Sequence, residues 1–203
     1  MGNHTGEPAT AACLVEALSD DPFYSAITVD FPEEGRRRGV LRRYFEYSME
    51  EGGRLGTCTV LPEDGRGVAI WTKPASEELA CSSRRAKHLF LESILGRKGL
   101  ENYDSIIGFM SPRSHGAAGK DAWYLSILGV EPQAQGRGLG RRLLEPTLSE
   151  ADREGAVCFL ETYSSRSIPF YERLGFRRVA SHVEPVTSSE YWIMVRERTG
   201  RRG

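Results

Sequence analysis

Three glycines at alternate positions, Gly136, Gly138 and Gly140, are the feature of the sequence most suited to chemistry. Because glycine has no Cβ, the backbone N–H groups of such a segment can turn inward and approach a ligand closely. The segment follows a strand-like run, Trp123 to Val130, and opens a helix predicted from about Gly138 to Arg153. The positive end of that helix attracts anions. The pattern therefore predicts a phosphate-binding turn rather than a purely structural one.

The common nucleotide-binding motifs do not fit this turn. A P-loop ends in Gly-Lys followed by Ser or Thr, whereas Gly140 is followed by two arginines. A Rossmann turn has two residues between its second and third glycines and an acidic residue further on. Arg137 and Arg141 add positive charge at the rim of the turn. We therefore expect a phosphate-bearing cofactor of a different kind.

The hexapeptide Gln135-Gly136-Arg137-Gly138-Leu139-Gly140 resembles the pyrophosphate-binding signature of the GNAT superfamily of acetyl-CoA-dependent N-acetyltransferases. That signature is Gln or Arg, two variable residues, Gly, one variable residue, and Gly or Ala. A second block typical of the same family, Phe170-Tyr171-Glu172-Arg173-Leu174-Gly175-Phe176, follows downstream. The resemblance is strong over residues 123–182 and implies that the chain binds acetyl-CoA.

The predicted fold class is α/β. A strand, the glycine-rich turn, a helix and the buried strand Ala156 to Thr162 form a βαβ unit, which implies a parallel strand pair. Hairpin patterns elsewhere make the sheet mixed. Together with the resemblance, this predicts one mixed, mostly antiparallel central sheet with helices on both faces and a parallel cofactor-binding unit. We expect a single domain over residues 1–203, with its cofactor-binding core at about 123–182.

Periodicity predicts the remaining elements. The predicted helices are Thr10 to Leu18, Gly35 to Glu51 (ended by Gly52-Gly53), part of 75–100, a short one near 101–110, and Ile168 to Leu174. The further predicted strands are Leu55 to Leu61, Gly67 to Lys73, Phe176 to His182 and Tyr191 to Arg198, the first two joined by a turn at Pro62 to Gly65. Ser111 to Lys120, rich in Gly, Ala and Ser, is predicted to be a flexible loop.

The resemblance also implies which residues bind the cofactor. Backbone groups of Leu128, Gly129 and Val130 are expected to pair with the pantetheine amides, and the three glycines of the turn to hold the pyrophosphate. Ser167 stands where many members carry an Asn, and its hydroxyl can make one such bond to the cofactor. The cofactor-binding residues are predicted to be Leu128, Gly129, Val130, Gln135, Gly136, Arg137, Gly138, Leu139, Gly140, Arg141, Ser167 and Tyr171.

Transfer of an acetyl group from a thioester to an amine requires a neutral amine, a stabilised oxyanion and a stabilised leaving thiolate. Tyr171 matches the family's tyrosine that faces the cofactor sulfur as general acid, and a phenol with a pKa of about 10 is protonated at neutral pH. Glu161 is expected to accept the amine's proton through water or to attract a cationic substrate; a salt-bridged structural carboxylate is the alternative. The aromatic candidates for the acceptor site are Phe23, Tyr24, Tyr44 and Tyr47.

Composition excludes several other classes of protein. A formal net charge of −1 argues against a dedicated nucleic-acid binder. No apolar run is long enough for a membrane span, and no secretory leader is visible, so we expect a cytoplasmic protein without a membrane partner. The four cysteines and four histidines are scattered, and no metal site is predicted.

The predicted function is N-acetylation, with acetyl-CoA as donor and the primary amine of a small molecule as acceptor, by direct attack. Two alternatives stay open at this point: an acetyltransferase for peptides or proteins, and a catalytically idle relative that binds acyl-CoA. The sequence does not identify the acceptor amine or the oligomeric state.

Overall fold

The computed structural model describes residues 7–61 and 66–198, and within them six strands form a single sheet. The order across the sheet is β1-β2-β3-β4-β6-β5. The strands are β1 (Gly56–Val60), β2 (Gly67–Thr72), β3 (Trp123–Val130), β4 (Cys158–Thr162), β5 (Arg177–Glu184) and β6 (Ser189–Arg196). β3 and β4 are parallel, and the other neighbours are antiparallel. The prediction of a mixed, mostly antiparallel sheet with one parallel pair is confirmed.

Helices cover both faces of this sheet. They are α1 (Glu7–Leu18), α2 (Pro22–Ile27), α3 (Glu34–Leu55), α4 (Glu77–Ile94), α5 (Arg97–Ala118), α6 (Leu139–Glu154) and α7 (Ile168–Glu172), with short 3-10 turns at Pro132–Ala134 and Ser165–Ser167. Because successive side chains of a strand point to opposite faces, Val68 and Ile70 of β2 share an apolar core with α1 and α3. Ala69 and Trp71 share the other core with α6.

Two irregularities in the centre of the sheet create the space for a site. Ile70 lies opposite Ile127 and Trp71 lies opposite Leu125, so Ser126 is an extra residue in β3, as in a β-bulge. The parallel pairing of β3 with β4 ends at Leu125 and Leu160. Because both strands continue further, to Val130 and Thr162, a gap opens between their carboxyl ends.

The prediction that Gly52-Gly53 ends the second helix is wrong, because α3 continues to Leu55. Gly52 is buried, and a Cβ at this position would clash with the side chain of Ile70 on β2. The absence of a side chain at Gly52 therefore lets α3 pack closely against β2. Its helix-breaking tendency costs about 1 kcal/mol, which tertiary packing overrides.

The prediction of a flexible loop from Ser111 to Lys120 is also wrong. One helix, α5, runs from Arg97 to Ala118 and contains Pro112, in place of a short helix followed by a loop. Ile106 and Met110 are buried against β4 and β6, and Ser114 is buried as well. Burial of this face outweighs the local preference of Gly, Ser and Pro for turns. The predicted turn at Pro62 to Gly65 lies outside the described residues.

Candidate active site

Two adjoining cavities lie where β3 and β4 separate. The first, here called the turn cavity, has a volume of about 880 Å³ and runs along the glycine-rich turn. The second, here called the helix cavity, has a volume of about 490 Å³ and lies between the sheet and helices α2 to α5. The residues that line both are Leu18, Asp21, Leu128, Tyr163, Ser164, Ser167 and Tyr171. The two spaces therefore meet beside Tyr171.

The glycine-rich turn takes its shape from left-handed backbone conformations. Gly136 has φ = 73° and Gly138 has φ = 78°, a region that costs other L-residues about 1–2 kcal/mol. Gly138 is the N-cap of α6, and a Cβ at either glycine would meet no atom within 4 Å. The turn and the first residues of α6 line the turn cavity, and the first N–H groups of a helix have no partner within the helix, an arrangement that fits a pyrophosphate.

Nearly all residues predicted to bind the cofactor line the turn cavity. They are Leu128, Gly129, Val130, Gln135, Gly136, Gly138, Leu139, Gly140, Arg141, Ser167 and Tyr171. Arg137 is exposed and is not among the lining residues. The side chain of Gln135 donates a hydrogen bond to the carbonyl of Val130 (3.0 Å), which ties the turn to the end of β3.

Tyr171 lies on α7 at the junction of the two cavities. The residue is 9% exposed, and burial raises the pKa of its phenol above the usual 10. The hydroxyl is therefore protonated at neutral pH and is available as a proton donor. Ser167, the residue just before α7, donates a hydrogen bond to the hydroxyl of Ser164 (3.1 Å).

Glu161 lies on β4 and lines the helix cavity, not the turn cavity. Its carboxylate accepts hydrogen bonds from the hydroxyls of Ser114 on α5 and Tyr124 on β3, the latter at 2.8 Å. Burial raises the pKa of Glu161 above its usual value, although these two hydroxyls and His115 act in the opposite direction. The structure thus gives this carboxylate two hydroxyl donors and a place in the lining of the helix cavity.

Asp21 was not predicted as a site residue, yet it lines both cavities. It is the N-cap of α2 and accepts a hydrogen bond from the N–H of Phe23 (2.9 Å). Burial raises the pKa of Asp21 from 3.8 to about 6, and the hydrogen bond from Phe23 limits the rise. An Asp followed by Pro is a typical start of a helix, and this signal could have revealed α2 and its cap.

The four aromatic candidates for acceptor binding separate into two groups. Phe23, Tyr24 and Tyr44 line the helix cavity. Tyr47 does not: its ring stacks on Phe90 with centroids 4.2 Å apart, outside the residues that line the cavity. Tyr103 of α5, which was not predicted, lines the cavity and packs edge-on against Phe23 at 6.0 Å.

The family model described as "Acetyltransferase (GNAT) domain" matches residues 97–178. An uncharacterised N-acetyltransferase from Schizosaccharomyces pombe is 40% identical over 178 residues, which cover 82% of this chain and 68% of the relative. Residues 97–178, which the family model matches, include the glycine-rich turn, the separation of β3 and β4, and Tyr171.

Solved structures of acetyltransferases share the fold over nearly the whole chain. An acetyltransferase related to histone acetyltransferase HPA2 from Corynebacterium glutamicum superposes with a TM-score of 0.66 at 22% identity, covering 100% of this chain and 96% of that one. Arylalkylamine N-acetyltransferase 2 from Aedes aegypti gives 0.65 at 14% identity, with coverage of 97% and 96%. Polyamine N-acetyltransferase from Drosophila melanogaster gives 0.61 at 17% identity, covering 94% of each chain.

Across residues 7–61 and 66–198, no helix has both the length and the apolar character needed to cross a membrane. The same part of the chain holds no group of three or more His, Cys, Asp or Glu side chains placed to bind a metal ion.

Proposed function

This chain belongs to the GNAT family of N-acetyltransferases, which use acetyl-CoA as the acetyl donor, and we propose on that premise that its acceptor is the primary amine of a small molecule. The observation that carries the proposal is the junction of the two cavities beside Tyr171. The helix cavity has the volume of a small-molecule site, about 300–1,000 Å³. Structural neighbours named for polyamine and arylalkylamine acetylation support an amine as acceptor.

The turn cavity is proposed to bind acetyl-CoA, which brings a thioester carbonyl as the electrophile. Gly136, Gly138, Gly140 and Arg141 line the space proposed for the pyrophosphate, and the N–H groups of the three glycines are proposed to bind it. Backbone groups of β3 from Leu128 to Val130, beyond its pairing with β4, are proposed to bind the pantetheine amides.

Tyr171 is proposed to donate a proton to the departing thiolate of CoA. Tyr171 lines both cavities, and its raised pKa means that the hydroxyl carries its proton at neutral pH when the thiolate begins to leave.

Glu161 is proposed to receive the amine's proton through an ordered water, or to attract the ammonium form of the acceptor. Asp21 lines the same cavity and adds a second negative charge near the junction. An amine is charged at neutral pH and must lose a proton before it attacks, so a carboxylate with a raised pKa is a suitable acceptor. The proposed reaction is direct attack of the amine on the thioester.

The test is the release of CoA thiol with a panel of acceptors: primary alkylamines and arylalkylamines, puromycin, and short peptides with free N-termini or lysines. Puromycin belongs in the panel because Asp20-Asp21-Pro22, Ala69 to Pro74 and Ile168 to Phe176 resemble puromycin N-acetyltransferase. We expect turnover with small amines and an acetylated product by mass spectrometry. Turnover with peptides alone would contradict the proposal. Tight acetyl-CoA binding without turnover of any amine would favour the idle relative.

A further inference from the structure

The helix cavity contains an ion pair at a distance from the cofactor side. Nζ of Lys87 on α4 lies 2.6 Å from Oε2 of Glu51 on α3, and the two side chains are only 23% and 12% exposed. Both residues line the helix cavity, and within the described part of the chain neither lines the turn cavity. Helices α3 and α4 both contribute residues to the helix cavity, and none of their described residues lines the turn cavity. The part of the helix cavity that α3 and α4 line is here called the far end.

The surroundings of Lys87 keep it positively charged. Burial acts against the ammonium form, but the phenols of Tyr44 and Tyr103 and the carboxylate of Glu51 outweigh it, so the pKa of Lys87 lies above 10.5. Arg84, one helical turn earlier on α4, lines the same cavity. The far end thus holds the carboxylate of Glu51, which is neutralised by Lys87, and a second cation, Arg84.

The near end of the same cavity has the opposite charge. Asp21 lines both cavities, and Glu161 of β4 lies two residues before Tyr163, which also lines both. Both Asp21 and Glu161 are carboxylates. One ammonium group can be attracted there and deprotonated for reaction. A second ammonium that extends along the cavity to the far end would meet Lys87 and find Glu51 already paired.

We propose that Lys87 is a specificity-determining residue that makes the helix cavity selective for monoamines and excludes α,ω-diamines and polyamines. This inference rests on the proposed function of that cavity. Its physical basis is repulsion between like charges combined with the neutralisation of Glu51, the carboxylate that would otherwise receive a second ammonium. Selectivity of this kind comes from penalising the wrong ligand rather than from binding the right one more tightly.

A second lysine in the cavity provides a matched control. Lys73 also lines the helix cavity, is 22% exposed and pairs with a carboxylate, Glu150, at 2.7 Å. Glu150, unlike Glu51, is not among the residues that line the cavity. Lys73→Met therefore removes one cavity cation without leaving an unpaired carboxylate in the cavity, whereas Lys87→Met leaves Glu51 facing the acceptor.

The test measures amine binding by calorimetry in protein saturated with CoA, using alkylamines from propylamine to octylamine and the α,ω-diamines of the same lengths. In the parent we expect each diamine to bind about tenfold or more weaker than the monoamine of equal length. In Lys87→Met we expect at least one diamine to bind as tightly as its monoamine or tighter. In Lys73→Met the parent ratio should persist. Tighter diamine binding by the parent, or equal ratios in both variants, would overturn the inference.

Two further variants keep the test decisive if Lys87→Met folds poorly, since it leaves Glu51 buried without its partner. Lys87→Met combined with Glu51→Gln removes both charges, and the gain for diamines should disappear. Glu51→Gln alone leaves Lys87 unpaired, and diamine binding should weaken beyond the parent value. A gain for diamines in either would contradict the inference. CoA-thiol release with monoamines tests the proposed function separately, so failure of turnover and failure of selectivity are distinguishable.

Discussion

The two cavities differ in the kind of group that lines them. On the turn side the lining comes mostly from two short stretches, 128–141 and 163–174, and the proposed ligand groups are backbone N–H groups and glycines. On the helix side the lining comes from side chains of α2, α3, α4, α5 and three strands, which lie far apart in sequence. A donor common to the family can be bound by local backbone geometry. An acceptor must be chosen by side chains brought together by tertiary packing.

Tyr171 lies at the boundary of the two regions, and Tyr171→Phe should have the largest effect. Loss of the proton donor should lower kcat by about 10²–10⁴-fold while acetyl-CoA affinity changes little. Tyr163→Phe is the matched control, because Tyr163 also lines both cavities but directs its hydroxyl to the sulfur of Met110 (3.3 Å). Steady-state rates and melting temperatures check both variants. An unchanged kcat in Tyr171→Phe, with chemistry rate-limiting, would remove the acid role.

Gly138→Val tests the claim that the turn side works through its backbone. Both Gly138 and Gly155 cap α6, at opposite ends, with φ of 78° and 64° and open space around a Cβ. A β-branched residue at either should cost about 1–2 kcal/mol of stability. Only Gly138→Val should also lose the stabilisation by acetyl-CoA, about 2.7 kcal/mol at a ligand concentration of 100 Kd. Thermal melts with and without acetyl-CoA measure this. An undiminished shift in Gly138→Val would show that the turn is structural.

Glu161→Gln tests the helix side. A carboxyl group with a raised pKa is active only when deprotonated, so kcat/KM of the parent should fall as pH drops through a pKa above the usual 4.5. The variant should lose this acid limb, and its kcat/KM at neutral pH should fall by about 10–100-fold. Glu172→Gln, whose carboxylate pairs with Arg178 at 3.3 Å outside both cavities, is the control. If kcat/KM of Glu161→Gln still falls at low pH as it does in the parent, the group that titrates is not Glu161.

Asp21→Asn should produce the smallest effect, on stability. The folded pKa of Asp21, about 6, lies above the reference value of 3.8, so its contribution to stability is complete below pH 3.8 and is lost as pH rises through 6. Asn keeps the cap to Phe23 but cannot ionise. The variant should therefore exceed the parent by up to about 3 kcal/mol at pH 8 and come close to it near pH 4. Urea unfolding at both pH values measures the difference; a variant less stable than the parent at pH 8 would contradict the raised pKa.

The same contrast explains how much could be predicted from the sequence. β3 was predicted with its observed limits, and α6 to within one residue, because the strand, turn and helix signals are local and lie next to each other. Arg137 was the exception among the predicted cofactor residues, since an exposed side chain carries no signal of its direction. That residues 1–203 form one domain stays a prediction.

The helix side could not be predicted to the same depth. α2 is only six residues long, and α5 contains Gly, Ser and Pro that favour turns locally, so their positions depend on burial against distant strands. The pairing of Lys87 with Glu51 joins residues 36 positions apart, and the hydrogen bond from Tyr124 to Glu161 joins residues 37 apart. Tyr47 was predicted for the acceptor site because it is aromatic. Its position on α3 instead stacks its ring on Phe90.

The most direct test of the account is the affinity of a bisubstrate conjugate, in which the sulfur of CoA is joined through an acetyl bridge to the nitrogen of the best monoamine acceptor. If the cavities meet beside Tyr171, one molecule can occupy both, and linkage should tighten binding about 100-fold or more relative to CoA alone. Gly138→Val should weaken the conjugate as strongly as it weakens CoA. Calorimetry of the parent gives the answer. A conjugate that binds no more tightly than CoA would show that the helix cavity does not receive the acceptor.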